Sequence, residues 1–242
     1  LKLSRGLGDV YKRQQDTLLL KEEIVDVEVW TYDEPRLYTI QEMQLNNDKK
    51  KSFKSVYNFN NEKVIQIANK DFPNAVISEH GNSEYALISN PQPYQLSSQW
   101  TALFSKNDLA VKNIKNGDTE ILIKGNPSLA RLSPQGYYAY GYNQVDSTWY
   151  SHNLKKSKYT ELTRGKIFYN ELSDYPNYPS SYGIAGWSKN DKTIFVYDRY
   201  DIWEFDPDTG NSKRLTNGRE SKTSYRLILS LIHISEPTRQ LQ

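Results

Sequence analysis

Two stretches of this chain repeat one pattern at a nearly constant offset, which restricts its possible folds more than any other feature. The first runs Leu132-Ser133-Pro134-Gln135-Gly136, then YYAYGY (137–142), WYSHNL (149–154) and YTELTRG (159–165). The second runs Trp187-Ser188-Lys189-Asn190-Asp191, then KTIFVYDRYDIWEF (192–205), DPDTG (206–210) and SKRLTNG (212–218). Ser133 aligns with Ser188, Trp149 with Trp203, and Leu162-Thr163 with Leu215-Thr216, at offsets of 55, 54 and 53. Each unit reads turn, strand, strand, turn, strand. A unit of that kind cannot bury both faces alone and must lean on its neighbours, as in a propeller or a solenoid.

The turn residues suit this reading. Pro134 sets φ, while Gly136, Asn190 and Gly210 tolerate positive φ, so the chain reverses tightly between strands. Upstream the period is also two. Residues 24–32 (IVDVEVWTY) alternate Val25, Val27 and Val29 against Asp26 and Glu28. SVYNF (55–59) and KVIQIA (63–68), joined at Asn60-Asn61, predict a hairpin. EYALIS (84–89), LAVKNI (109–114) and NGDTEILI (116–123) supply further strands. One segment differs. Asp33-Glu34-Pro35 resembles a helix start, and Leu37, Ile40, Met43 and Gln44 follow at helical spacing, so one short helix is expected near 34–47. Residues 166–186, rich in Tyr, Pro, Ser and Asp, read as an insertion between the repeats. The expected fold is all-β, a partial β-propeller of about four blades.

Composition narrows the function. Hydrophobic residues are only 37% of the chain but aromatics are 13%, with 19 tyrosines. That balance favours short strands with half-buried rings over a helical bundle. No run approaches the 18 or so apolar residues of a membrane span. The chain has no Cys, which excludes disulfides and thiolate metal sites. The two ends stand apart from the rest. SRGLGDVYKRQ (4–14) and LSLIHISEPTR (229–239) both resemble translated transposase-type sequencing-adapter DNA, the second being the reverse complement of the first. Residues 1–14 and 229–242 are therefore expected to be adapter-derived, and 15–228 to be the propeller domain. The adapter-like strings 4–14 and 229–239 hold Arg5, Lys12, Arg13 and Arg239 against Asp9 and Glu236, and they account for the formal charge of +2. Without them the charge is zero, so a nucleic-acid partner is not expected.

The repeated units look like the W/L-S-P-D-G-K … L-T blades of bacterial Tol-type propellers and of prolyl oligopeptidase-like peptidases. YGIAGWSKNDKTIFVYDRYDIWEFDPDTGNSKRLTNG (182–218) resembles a late blade of a bacterial branch of the prolyl oligopeptidase family. DVEVWTYDEPRLYTIQ (26–41), with Arg36-Leu37 and Gln41, resembles the same branch. Gln135 and Lys189 depart from the family's turn. The resemblance implies a propeller that caps an α/β-hydrolase domain and admits peptides while excluding folded proteins. It implies a bacterial serine peptidase as the parent, in a periplasmic or other extracytoplasmic compartment, the cytoplasm being the alternative. The partners implied are peptide substrate and the parent's own C-terminal hydrolase domain. The rival expectation is a non-enzymatic, Tol-type scaffold that binds protein partners.

No catalytic residue is expected within this chain. A serine nucleophile of that fold sits on a G-x-S-x-G elbow. Gly81-Asn82-Ser83-Glu84-Tyr85 and Gly210-Asn211-Ser212-Lys213-Arg214 begin the pattern and fail at its last position. The substrate-facing candidates are Asp198, Arg199, Tyr200 and Asp201, beside Trp203. Their alternative role is structural, an Asp–Arg pair and a Trp anchoring a blade. A paired-carboxylate glycosidase is disfavoured, because Asp198 and Asp201, taken as one strand, would face opposite ways. His152 and His80 read as structural and turn histidines. Asp206-Pro207-Asp208-Thr209-Gly210 is a hairpin turn before it is a calcium loop. Lys49-Lys50-Lys51 is a solvated helix end. The Tyr- and Pro-rich loop 174–182 could recognise a partner or face the hydrolase domain. No metal and no cofactor is expected.

Overall fold

A computed structural model describes residues 33–59, 62–79, 81, 83–100 and 106–227. The two ends, the strand expected at 24–32, the Asn60-Asn61 turn and His80 lie outside the described residues. The chain divides into two compact units, 1–50 and 51–242.

In the first unit the expected helix is present as α1 (Tyr38–Lys49). It starts about one turn later than Asp33-Glu34-Pro35 suggested, with Leu37 in extended backbone at its N-cap. Proline disfavours helical geometry at the residue before it, which keeps Glu34 out of the helix. The leader is instead latched along the helix. Arg36 donates to Gln44 Oε1 and Asp48 Oδ2, both at 2.6 Å, and Gln41 Nε2 donates to the Arg36 carbonyl at 2.7 Å.

The second unit is built of β-strands, with short helical turns at Gln92–Tyr94, Gln95–Ser98, Lys189–Asp191 and Gly218–Ser221 beyond the one expected helix. A hairpin of β1 (Ser55–Asn58) and β2 (Lys63–Gln66) precedes three four-stranded antiparallel sheets, each in plain up-and-down order. The first blade is β3 (Asn74–Val76), β4 (Tyr85–Asn90), β5 (Asn107–Asn113) and β6 (Thr119–Asn126). The second is β7 (Arg131–Leu132), β8 (Tyr138–Asn143), β9 (Thr148–Asn153) and β10 (Lys158–Glu161). The third is β11 (Ile184–Trp187), β12 (Ile194–Tyr197), β13 (Ile202–Phe205) and β14 (Ser212–Arg214). This is a partial β-propeller. Apolar layers join successive sheets: Ile67, Ala86 and Ala110 with Val56 between hairpin and first blade, Leu109, Leu132 and Leu154 between first and second, and Tyr142, Trp149, Val196 and Phe205 between second and third.

Hydrogen bonds explain the repeat. Ser133 Oγ accepts from Tyr138 N at 3.0 Å, and Ser188 Oγ accepts from Thr193 N at 2.9 Å, so each serine closes the first turn of its blade. Thr163 Oγ1 accepts from Trp149 N at 2.9 Å, and Thr216 Oγ1 accepts from Ile202 N at 3.1 Å, so each threonine caps the start of the third strand. Asn153 and Asp206 accept from the N–H groups two and three residues on and nucleate the last turn. DPDTG is thus a hairpin turn.

The same bonds correct the alignment of the tryptophans. Thr163 equates Trp149 with Ile202, not with Trp203. The strand register agrees, with Tyr142 opposite Trp149 and Tyr197 opposite Ile202. The two indoles therefore lie on opposite faces of their own sheets, and both reach the same layer between the second and third blades. Between the equivalent pairs the third blade has four residues (198–201) where the second has six (143–148), and that difference absorbs the slip. The turn 198–201 is itself not strand.

Candidate functional site

In an up-and-down sheet the turn between the second and third strands lies at the same end as the crossing to the next blade. The other two turns lie at the opposite end. That opposite end is a row of locks. Asp191, 1% exposed, accepts from Ser133 Oγ at 2.6 Å and from Gln135 N at 3.0 Å in the preceding blade. Asp208 accepts from Asn153 Nδ2 at 2.7 Å, and its carbonyl accepts from Thr160 Oγ1 at 3.1 Å. Ser83 Oγ donates to the Gly136 carbonyl at 3.3 Å. The crossing end carries the polar cluster and the cavity.

All four residues singled out from the sequence are brought together in the 198–201 turn. Asp198 Oδ1 accepts from Tyr200 N at 2.8 Å and from Asp201 N, and its Oδ2 accepts from Trp203 Nε1 at 3.1 Å. Asp201, 0% exposed, accepts from Thr216 Oγ1 at 2.7 Å, Arg214 Nε at 3.0 Å and the Gly218 and Arg219 N–H groups. Burial pushes the Asp201 carboxyl up, but these donors together outweigh it and hold the group below its ordinary value. Arg199 lies 3.5 Å from Glu171 and stacks over Tyr200, with its guanidinium 5.0 Å from the ring centroid. Arg219 covers the same ring at 5.3 Å and pairs with Glu171 at 2.8 Å. Arg226 stacks on Tyr197 at 4.7 Å and donates to the Asp198 carbonyl at 3.2 Å. This network ties the segment leaving β14 and the insertion onto the third blade.

A cavity of about 690 Å³ opens at the same end, between the second and third blades. Its walls include Tyr140, Tyr142 and Trp149, with Leu129 from the crossing before β7 and Ile184 at the start of β11. Arg131 and Gln144 also line it. Arg131 lies directly across from Tyr140 in the sheet, so both are on one face. Gly141, between the two tyrosines, faces the other way. A Cβ there would come within 2.7 Å of the Tyr150 hydroxyl, so the aromatic row on one face depends on a bare backbone on the other. Burial pushes the Tyr140 and Tyr142 phenols up, so both stay neutral hydrogen-bonding groups. Tyr142 donates to the Pro179 carbonyl at 3.0 Å, holding the insertion against this wall. The Trp149 indole N–H is buried without a partner among the described residues.

Sequence reasoning found the polar turn and missed the cavity. The signal was present in YAYGY (138–142), where rings alternate with Ala139 and Gly141. His152, by contrast, is a buried strand residue on β9, with neither ring nitrogen partnered among the described residues. Burial lowers its pKa, against a small opposing pull from Glu120.

No protein-family model and no curated protein matches the chain. Several solved structures do. A TolB-like protein of Agrobacterium tumefaciens, whose structure is described as that of a TolB homologue, matches with a TM-score of 0.37 and 17% identity, over 64% of this chain and 51% of that one. TolB of Acinetobacter baumannii gives 0.35 and 12%, over 67% and 37%. The β-propeller domain of the Trilobed protease of Pyrococcus furiosus, described as having an open velcro topology, gives 0.33 and 13%, over 55% and 40%. The chain spans about half or less of each. What makes it a propeller segment is its own strand topology.

Proposed function

We propose that this chain is the substrate-gating propeller portion of a prolyl oligopeptidase-like serine peptidase, with residues 15–228 as the native domain. The catalytic α/β-hydrolase domain belongs to the parent protein, and this fragment carries no catalytic group of its own. The supporting observation is the aromatic cavity at the crossing end of the blades. It is large enough for a short peptide segment and far too small for a folded domain. Beside it the 198–201 turn offers Arg199 and Tyr200 toward peptide, with Asp198 and Asp201 setting the turn that presents them.

A scaffold that binds protein partners is the second reading. Two observations favour it: the charges of the turn are engaged internally, and the insertion exposes Leu172 (66%) and Tyr175 (78%). Resequencing the source DNA outward past Ile228 separates the two. A frame that continues into G-x-S-x-G, then Asp and His, supports the peptidase. A frame that continues into more blades and stops supports the scaffold.

A further inference from the structure

Each blade turns the same positions toward the blade that follows it. In the second blade they hold Tyr140, Tyr142, Trp149 and Leu162, all within the layer shared with the third. In the first they hold Tyr85, Leu87 and Val111, within the layer shared with the second. The third blade fills them with Phe195, Tyr197, Ile202 and Leu215. Register fixes the match: Tyr197 lies opposite Ile202 as Tyr142 lies opposite Trp149. Leu215 N donates to the Ile202 carbonyl at 2.9 Å, as Leu162 N does to that of Trp149 at 2.8 Å. Yet Leu162 is 3% exposed and Leu215 is 44% exposed, so the seat is built and uncovered.

The lock and the crossing repeat as well. Ser133 Oγ accepts from Tyr138 N and donates to Asp191 of the following blade. Ser188 Oγ accepts from Thr193 N and Thr193 Oγ1 at 2.9 and 3.0 Å, and its own proton meets no acceptor among the described residues. Tyr142 Oη holds the crossing to the third blade through the Pro179 carbonyl. Tyr197 Oη holds the segment after β14 in the same way, accepting from Leu227 N at 2.9 Å, while Arg226 stacks on its ring. That segment is thereby laid over the crossing end of the uncovered face.

We infer that the outer face of the third blade seats one further blade of the same polypeptide, joined through 215–227, whose first turn brings a carboxylate to Ser188 as Asp191 does to Ser133. Burial of the apolar positions supplies adhesion, and the directional, charge-assisted bond sets the register. A second copy of this chain is the rival occupant, but the segment after β14 delivers its own chain to this face. The seat rests on the reading of 15–228 as part of a longer native domain and serves a peptidase or a scaffold alike.

Resequencing past Ile228 should find, within about one 55-residue repeat, period-two strands and an Asp or Glu in their first turn. In the present 242-residue chain, Leu215→Glu should leave the urea midpoint unchanged, whereas Leu162→Glu should unfold it. In the extended chain the two should be equally damaging. Ser188→Ala should lower the midpoint further there than here, and prior removal of the new carboxylate should abolish that extra loss. A stop codon or a hydrolase elbow directly after 228, a first turn without Asp or Glu, a Leu215→Glu variant that unfolds the present chain, or equal Ser188→Ala losses in the two chains overturns the inference. So does a dimer of the present chain that Leu215→Glu splits when no further blade is encoded, which would give the seat to a second copy. A further blade with no elbow beyond it retires the peptidase and keeps the seat, and an elbow with no intervening blade does the reverse.

Discussion

At the scale of single residues, the polar positions that looked most chemical are those that stabilise turns. Asp201 is the clearest. Its carboxylate is the shared acceptor for Thr216, Arg214, Gly218 and Arg219. Asp201→Ala strands these donors around a buried gap and should cost about 3 kcal/mol, read as a lower urea midpoint. The pH dependence has a definite sign. The folded carboxyl titrates below its ordinary 3.8, so its contribution is fully present above that value and is lost as pH falls through the folded-state pKa. His152 acts at a higher pH. Its folded-state pKa lies below the ordinary 6.5, so the unfolded chain takes up the proton first. Stability should be level above pH 6.5 and decline below it until the folded-state pKa is passed. In His152→Phe the loss of unfolding free energy between about pH 7.5 and pH 5.5 should shrink; an unchanged loss would locate the acid sensitivity elsewhere. The sequence allowed a structural role for both residues but not the partners of Asp201, because a bond from Asp201 to Gly218 spans 17 positions and leaves no local pattern.

At the scale of elements, strands and turns were the legible part. Serine at the first turn, Asn or Asp at the last and Leu-Thr at the close each make short-range hydrogen bonds, and short-range bonds appear as fixed spacings. Asp191 links that local chemistry to the next blade. It sits in the Ser188 turn of the third blade yet accepts from Ser133 and Gln135 of the second. Asp191→Ala should therefore destabilise by about 2–3 kcal/mol, whereas Ser188→Ala, which loosens one turn only, should cost about 1 kcal/mol. Equal losses in parallel denaturation curves would mean that the blades are not coupled through this carboxylate. The offset between Trp149 and Trp203 misled for a related reason. Hairpin length varies between blades, and one residue of slip moves a side chain to the other face.

At the scale of the whole molecule, the apolar layers run from hairpin to first blade, first to second and second to third. A blade at the end of such a series has one face with no neighbour, and its strand edges invite pairing. Residues 15–228 made alone should therefore self-associate as concentration rises, seen as a growing weight-average mass in sedimentation. A monomeric, cooperative melt would show that the segment is self-sufficient. By itself the sequence determined the all-β class, the blade repeat and the positions of most turns, because period-two burial and Asn, Asp, Ser and Gly turns are written over a few consecutive residues. Only the tertiary structure decided which face each ring takes, that Asp191 and Asp201 serve distant N–H groups, and that Tyr140, Tyr142, Trp149 and Arg131 enclose one cavity. Those facts depend on contacts between residues from 17 positions apart (Asp201 and Gly218) to 56 (Asp191 and Gln135), separations at which packing chooses the contacts and no local pattern records them.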